Sequence, residues 1–430
     1  MKLINISWSK DRFFFFIFSC IGLLVFAFMQ LHNVRIFIIW FTENIALRRH
    51  LEDPAKWHNL MRIWSIRGIV FCTIIIFCIL FWKYLKQVIE LISQKFRLIM
   101  QTKPVNSVIN SLTAINYKQF IKPVLIMFGI YALGISAIIR ADLYYIDDIN
   151  RSLYGYRVWE NWSRYISSFL AIFIHTNTQI DDISPLTQLI AVLLIAASSV
   201  TLVYVINDKK ITKTALAVSL PVGLSPYFLQ CFSYKFDSPY MALSVFASII
   251  PFIFADNYKS FSIASVIGLL IMCMTYQASS GIYIIIVIML CFRQWNTRQK
   301  TNREILTFLG ISIISYCIVM ILFKIFFAIP VSVDSYASTA IYPLSQMISG
   351  IMHNIINYYK VIINDFGMIW KVLLLLLIIS FWVKSIITSK QHKRFAFLAG
   401  FIVIALIFVL SFGVYLILIK PLYAPRGMYG

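Results

Sequence analysis

RADLYYIDDINRSLYGYRVWENWSRY, residues 140–165, is the densest run of ionisable and aromatic side chains in the chain, and it lies between long apolar runs. Its centre is a carboxylate pair, Asp147 and Asp148, followed closely by Arg151, Arg157 and Arg164. Ionisable groups are costly inside lipid. The stretch therefore predicts a loop at a membrane face, held there by the apolar segments on either side.

Composition supports that reading. Of 430 residues, 60% are hydrophobic and only 13% charged, whereas a soluble chain is nearer half apolar and a quarter charged. Several apolar runs reach the roughly 20 residues that cross a bilayer. The expected class is an all-α polytopic membrane protein, since a β-barrel would show short alternating segments. The net charge of +21 does not indicate nucleic acid, because the basic residues concentrate in alternate short loops between apolar runs, as cytoplasmic loops do. The seven cysteines lie in or beside apolar runs, with no CxxC and no Cys/His cluster. They are read as packing residues, neither disulfides nor metal ligands.

Outward from the central stretch, the charge rule predicts eleven spans with the amino terminus inside. The first span, residues 13–31, follows Lys2, Lys10 and Arg12 with no cleavage site after it, so it reads as retained. The second covers residues 68–82. Residues 83–122 carry seven Lys/Arg against the single acid Glu90, which predicts a cytoplasmic helix lying on the membrane surface. Span three, residues 123–139, delivers the acid pair to the outer face. Residues 166–174 are too short to cross and read as an interfacial or re-entrant helix. Spans four to nine are expected at residues 189–206, 215–233, 240–255, 261–276, 281–292 and 305–329. Residues 330–367 form an outer loop whose middle, LSQMISGIMHNIINYY, reads as an amphipathic helix. Spans ten and eleven fall at residues 368–387 and 395–419. Residues 42–64, with Arg48 and Arg49, break the charge rule by lying outside. Two parts follow: residues 1–122 hold the amino-terminal spans and the basic amphipathic segment, and residues 123–430 hold a catalytic transmembrane bundle.

The chemistry available to residues 140–165 is that of a lipid headgroup. A carboxylate at that depth can take a proton from an acceptor hydroxyl. Guanidinium groups bind phosphate oxygens in a forked geometry. Acid beside base at this level suits glycosyl transfer from a lipid-linked phosphosugar. The bare pattern equally allows a solvated loop whose acids and arginines pair with one another. The aromatic residues Tyr144, Tyr145, Tyr154, Tyr156, Trp159 and Trp162 can stack on sugars, but an interfacial belt is the default for most of them. Lys324, near the end of span nine, is expected to snorkel.

YIDDINRSLYGYRVWENWSRY resembles the corresponding stretch of the GtrII-like, phage-type O-antigen glucosyltransferases, which are polytopic enzymes of the GT-C class. DISPLTQ (182–188), YKFDSPYMALS (234–244), YQASSGIY (276–283) and APR (424–426) resemble further family motifs and occur in family order. The resemblance implies a GT-C-like bundle of about eleven transmembrane helices with outer-face loops and interfacial helices. It implies undecaprenyl-phosphate-linked glucose as donor and a lipopolysaccharide O-antigen sugar as acceptor. The setting would be the periplasmic face of the bacterial inner membrane, with a companion flippase and a polyprenyl-phosphate glucosyltransferase as partners. Carried over, it makes Asp147 or Asp148 the general base, and Arg151, Arg164 and Arg426 contacts to the donor phosphate. Asp182, Asp237 and Gln277 would line the cavity. No metal or cofactor is implied, although the acid pair leaves room for a divalent cation.

Two departures stand out. The family usually has Gly-Arg where this chain has Ser163-Arg164, so a different backbone is expected there. Family members also generally continue with another span after the APR motif, so residues 123–430 would lack a final span. Rival readings are a glycosyltransferase with another sugar or acceptor, such as teichoic acid or protein, and a lipid-linked oligosaccharide flippase or transporter. A flippase should carry charges on several spans around a central cavity, whereas here nearly all charges lie at span ends. An O-antigen polymerase should concentrate arginines in two large outer loops, yet residues 330–367 contain none.

Overall fold

A computed structural model describes residues 69, 72–73, 116–329 and 340–428. The chain divides into two compact units, Met1–Thr102 and Lys103–Gly430, and the second holds nearly every described residue. The readings for residues 1–68, 74–115 and 330–339, including the first two spans and most of the basic surface segment, fall outside these ranges.

The described residues form helices and a single isolated bridge, between Ile341 and Leu418. In order they are α1 (Lys118–Gly134), α2 (Ser136–Ala141), α3 (Asp147–Tyr154), α4 (Tyr165–Ile174) and α5 (Leu186–Ile206). Three short pieces follow, α6 (Lys213–Val218), α7 (Pro221–Leu224) and α8 (Pro226–Ser233), then α9 (Ser238–Ile249), α10 (Tyr258–Cys273), α11 (Ser280–Asn296) and α12 (Asn302–Leu322). The chain ends with α13 (Met347–Asp365), α14 (Met368–Ile387), α15 (Lys393–Leu410) and two short 3-10 turns.

The core is built around α5, which packs most extensively against α9 and α1. Its buried face is rich in small residues, among them Ala191, Ala196, Ser198 and Ser199. Small side chains let apolar helices approach closely where burial of hydrocarbon supplies no driving force between them. Tyr131 of α1 crosses this contact and shares a hydrogen bond with Ser199 (2.7 Å). Gly268 of α10 serves the same purpose, because a Cβ there would strike the Ala247 carbonyl.

The sequence reading places nine spans in the carboxyl-terminal part. Among the described residues, five helices are long and apolar enough to cross a bilayer, or six if the bent run from Lys213 to Ser233 counts as one. Several expected spans are shorter than a bilayer or interrupted. The fifth breaks at Leu220 and Ser225, each followed by a proline, and bends by 55°. Proline lacks the N–H that would continue a helix. The sixth ends its α-helix at Ile249 and tightens into a 3-10 turn, Ile250–Phe254. The eleventh stops at Leu410 instead of running to residue 419. Gly413 takes φ +51° there and abuts Ser280 too closely for any side chain. The residues after it are captured by Asn354 of α13, whose side-chain amide donates to the carbonyls of Leu416 (2.9 Å) and Leu418 (2.8 Å).

The ends of the bundle differ in charge. At one end, Arg293 in the last turn of α11 and lysines from two interhelical turns meet two acids: Arg293 pairs with Asp208, and Lys209 (2.5 Å) and Lys300 (3.4 Å) pair with Asp256. The turns at the other end gather residues 140–185, 234–237, 274–279 and 424–428.

Candidate functional site

Residues 142–176 thread through an unusual backbone. Asp142, Ile146, Val158, Ser163 and Thr176 all take positive φ, between 38° and 60°. The left-handed region is unfavourable for any residue with a Cβ, and β-branched Ile146 and Val158 are true outliers. Such strain persists only where surrounding contacts hold it, and it clusters at binding and catalytic sites. Ser163 adopts the left-handed conformation that glycine favours (φ 60°). Its hydroxyl accepts the Ile329 N–H at 2.8 Å, a contact glycine could not make.

The acid pair separates into two environments. Asp147 and Asp148 open α3, where negative charge meets the positive end of the helix dipole. Successive helical residues point about 100° apart, so the two carboxylates diverge. Asp147 is exposed and makes no hydrogen bond or ion pair among the described residues. Asp148 is fully buried. One of its oxygens accepts the N–H of Lys235 (2.9 Å) and of Tyr145 (3.3 Å), and the other accepts that of Phe236 (3.4 Å). Asp148 thus clamps the YKFDSP turn onto the start of α3.

Burial raises the Asp148 carboxyl to about 6, against the lowering effect of those three N–H groups, while the Asp237 charge adds to the rise. An unfolded aspartate titrates near 3.9. The native state therefore holds this proton more tightly, and folding takes one up between the two values. Stability is expected to fall as pH rises from about 4 to about 6 and to level off above, an effect on the order of 3 kcal/mol. Thermal unfolding in detergent across that range checks it: the wild type should show the decline and Asp148→Asn should not.

Asp237 collects the positive end of the site. It forms a buried ion pair with Arg151, accepts Trp159 Nε1–H at 2.6 Å, and lies 3.8 Å from Arg164. Each guanidinium rests on an aromatic ring: Arg151 over Trp159 (4.2 Å), Arg164 over Tyr276 (4.6 Å) and Arg426 over Tyr234 (5.4 Å). Cation–π contact holds an arginine in place without neutralising it. Tyr276 also donates from its hydroxyl to the Arg426 carbonyl (3.2 Å), which ties the arginines of two distant motifs together. Arg151 is only 4% exposed. The side chain of Arg164 is 20% exposed, so it is the more accessible of the two partners of Asp237.

The remaining candidates take other positions. Asp182 joins a second cluster around Lys235, whose ammonium meets Asp182 (3.2 Å) and Asp142 (2.5 Å) and sits 4.3 Å above the Tyr144 ring. Desolvation opposes the charged form of Asp182, but the Ser184 N–H, Lys235 and Tyr144 outweigh it and hold the carboxyl below its usual range. Gln277 turns its amide toward the carbonyls of Cys273 (2.7 Å) and Trp162 (3.4 Å), so it braces the residue 159–162 turn. Among the described residues, no group of three or more His, Cys, Asp or Glu is arranged to hold a metal ion.

Two contributors were missed from sequence. Lys235 is 3% exposed, and its backbone and ammonium hold different acids. The signal was a lysine placed between two apolar runs, two residues before an acid. Trp159, assigned by default to an interfacial belt, is completely buried against Tyr240.

Fold and site together define an all-helical membrane protein with a caged carboxylate–arginine centre at one end of its bundle. The family described as glucosyl transferase GtrII matches residues 136–430, and the chain belongs to that family. It is 29% identical over 242 residues to a protein of Salmonella phage P22 described as an uncharacterized 55.3 kDa protein in the gtrB 5' region. That alignment covers 55% of this chain and 49% of the phage protein, so the chain spans about half the length of the curated relative it matches. No solved structure matches.

Proposed function

We propose that the chain is a membrane glucosyltransferase that moves glucose from undecaprenyl-phosphate-glucose to an O-antigen sugar at the periplasmic face of the bacterial inner membrane. The observation that carries this reading is convergence: acids and arginines from motifs nearly 280 residues apart in sequence, Asp147 to Arg426, occupy one end of the bundle. The opposite end bears the basic turns, which by the positive-inside rule face the cytoplasm.

The reaction is a single displacement. The acceptor hydroxyl attacks the anomeric carbon, and its proton passes to Asp147, the acid whose oxygens are not taken up by the fold. The bond from that carbon to the phosphate oxygen breaks, and the charge left on the lipid phosphate is met by Arg164 and Arg426. These are preorganised donors, already held against Tyr276 and Tyr234, so they need little rearrangement as charge develops. Arg151 and Asp237 act beneath them as a buried strut. Asp182 and Lys235 hold the neighbouring loop, and Gln277 positions the turn that carries Trp159.

Mass analysis of O-antigen from cells with and without the chain tests the reading. Each modified repeat unit should gain one hexose only when the chain is present. An unchanged repeat unit, with the protein in the membrane and its donor supplied, would overturn it.

A further inference from the structure

A cavity of about 420 Å³ lies between helices of the bundle, distinct from the arginine centre, and runs toward the basic end, where the Ile206 carbonyl on its wall accepts from Arg293. Three of its walls are apolar stripes: Leu202 and Ile206 on α5, Val245 and Ile249 on α9, and Ile282 and Met289 on α11. Each is a helical face at one- or two-turn spacing. The α11 stripe spans seven residues, roughly 10 Å along the axis, so the cavity is a slot. The fourth wall is the broken fifth span, through Pro221, Ser225 and Tyr227. Interrupted helix at membrane depth is tolerated where it is buried or lines a cavity, and discontinuous helices mark binding sites in other membrane folds.

The same broken span connects the slot to the arginine centre. Tyr227 and Phe228 of α8 line the slot, and Gln230, on the same helix, accepts the Arg426 N–H at 2.6 Å. Met428, two residues beyond Arg426, lines the slot as well. The Arg426 segment therefore abuts the slot through its backbone N–H and Met428, while its guanidinium lies over Tyr234. The walls carry no charged group, and Ser225 and Tyr227 are their polar members, which suits hydrocarbon and not a sugar.

We infer that this slot receives the hydrocarbon chain of the lipid-phosphate donor in its first isoprene units, with Arg426 placing the phosphate at the mouth. The inference rests on the donor proposed above.

The test uses the full chain reconstituted in liposomes. One arm compares polyprenyl-phosphate-glucose with an analogue carrying a single isoprene unit. Ile286→Trp, which fills the slot, should raise KM for the long-chain donor roughly tenfold, about 1.4 kcal/mol, and leave KM for the short analogue unchanged. Equal KM shifts for both donors would overturn the slot assignment and leave the donor reading standing. A wild type that transfers from neither donor would overturn both. The second arm needs no variant. A polyprenyl phosphate with a diazirine in its second isoprene unit should label α8 or α11 of the wild type, and unlabelled polyprenyl phosphate should compete where bilayer phospholipid does not. Equal competition by phospholipid would mark the slot as an acyl-chain site, and labelling elsewhere would exclude it; either result overturns the inference.

Discussion

Asp237→Ala is expected to destabilise the protein by about 3–5 kcal/mol and to abolish the proposed glucosyl transfer with it. The magnitude follows from what the substitution strands. The Arg151 guanidinium is buried, pairs with Asp237 and has its Nε without a hydrogen-bond partner. Removing one member of a buried ion pair leaves an uncompensated charge in a low-dielectric interior. Trp159 Nε1 loses its acceptor at the same time, adding the cost of an unsatisfied buried donor. Asp237→Asn should be milder, since an amide oxygen can still accept from the indole. Thermal unfolding of the purified variants, read alongside turnover, checks the order. An Asp237→Ala protein as stable as wild type would show that the strut carries no structural load.

The second large effect concerns Asp147. A positioned general base contributes typically 10²–10⁴-fold to the rate, and Asp147→Asn is expected to lower turnover within that range. Because Asp147 is exposed and outside the hydrogen-bond network of the fold, stability should be nearly unchanged. Donor affinity should also survive, because Arg164 and Arg426 are held by Tyr276 and Tyr234, not by Asp147. The loss should appear in kcat far more than in KM.

Much of this architecture was readable beforehand, for definite physical reasons. Long apolar runs gave α5 and α14 nearly residue for residue: α5 carries no charged residue, and the two lysines of α14, Lys371 and Lys384, sit within a turn of its ends. The amphipathic pattern of residues 344–359 became α13, Met347–Asp365. The breaks at Leu220 and Ser225 went unread because the flanking run is apolar enough to pass for one span, even though Pro221 and Pro226 were visible. The residue 412–419 segment looked like the end of a span because its composition is apolar; what turns it aside is Gly413 against Ser280 and the side chain of Asn354, contacts between distant parts of the chain.

The candidate residues were legible as a list and illegible as an arrangement. Charge density located residues 140–165, and ordered motifs tied them to positions 182, 237, 277 and 426. Nothing in one sequence says that Asp148 folds onto the amides of Lys235 and Phe236, 87 and 88 positions away. Nor does it say that Arg151 is consumed by Asp237. Adjacent carboxylates look equivalent in a sequence, and the helix turn between them makes one an exposed acid and the other a buried clamp.

That division of labour is the central claim, and side-by-side turnover of Asp147→Asn and Asp148→Asn tests it most directly. Both are measured with purified, reconstituted protein at saturating polyprenyl-phosphate-glucose and neutral pH. Asp147→Asn should lose at least a hundredfold in kcat, while Asp148→Asn, whose amide oxygen can still accept backbone N–H groups, should keep most of it. The reverse order, with Asp147→Asn active and Asp148→Asn inert but folded, would contradict it.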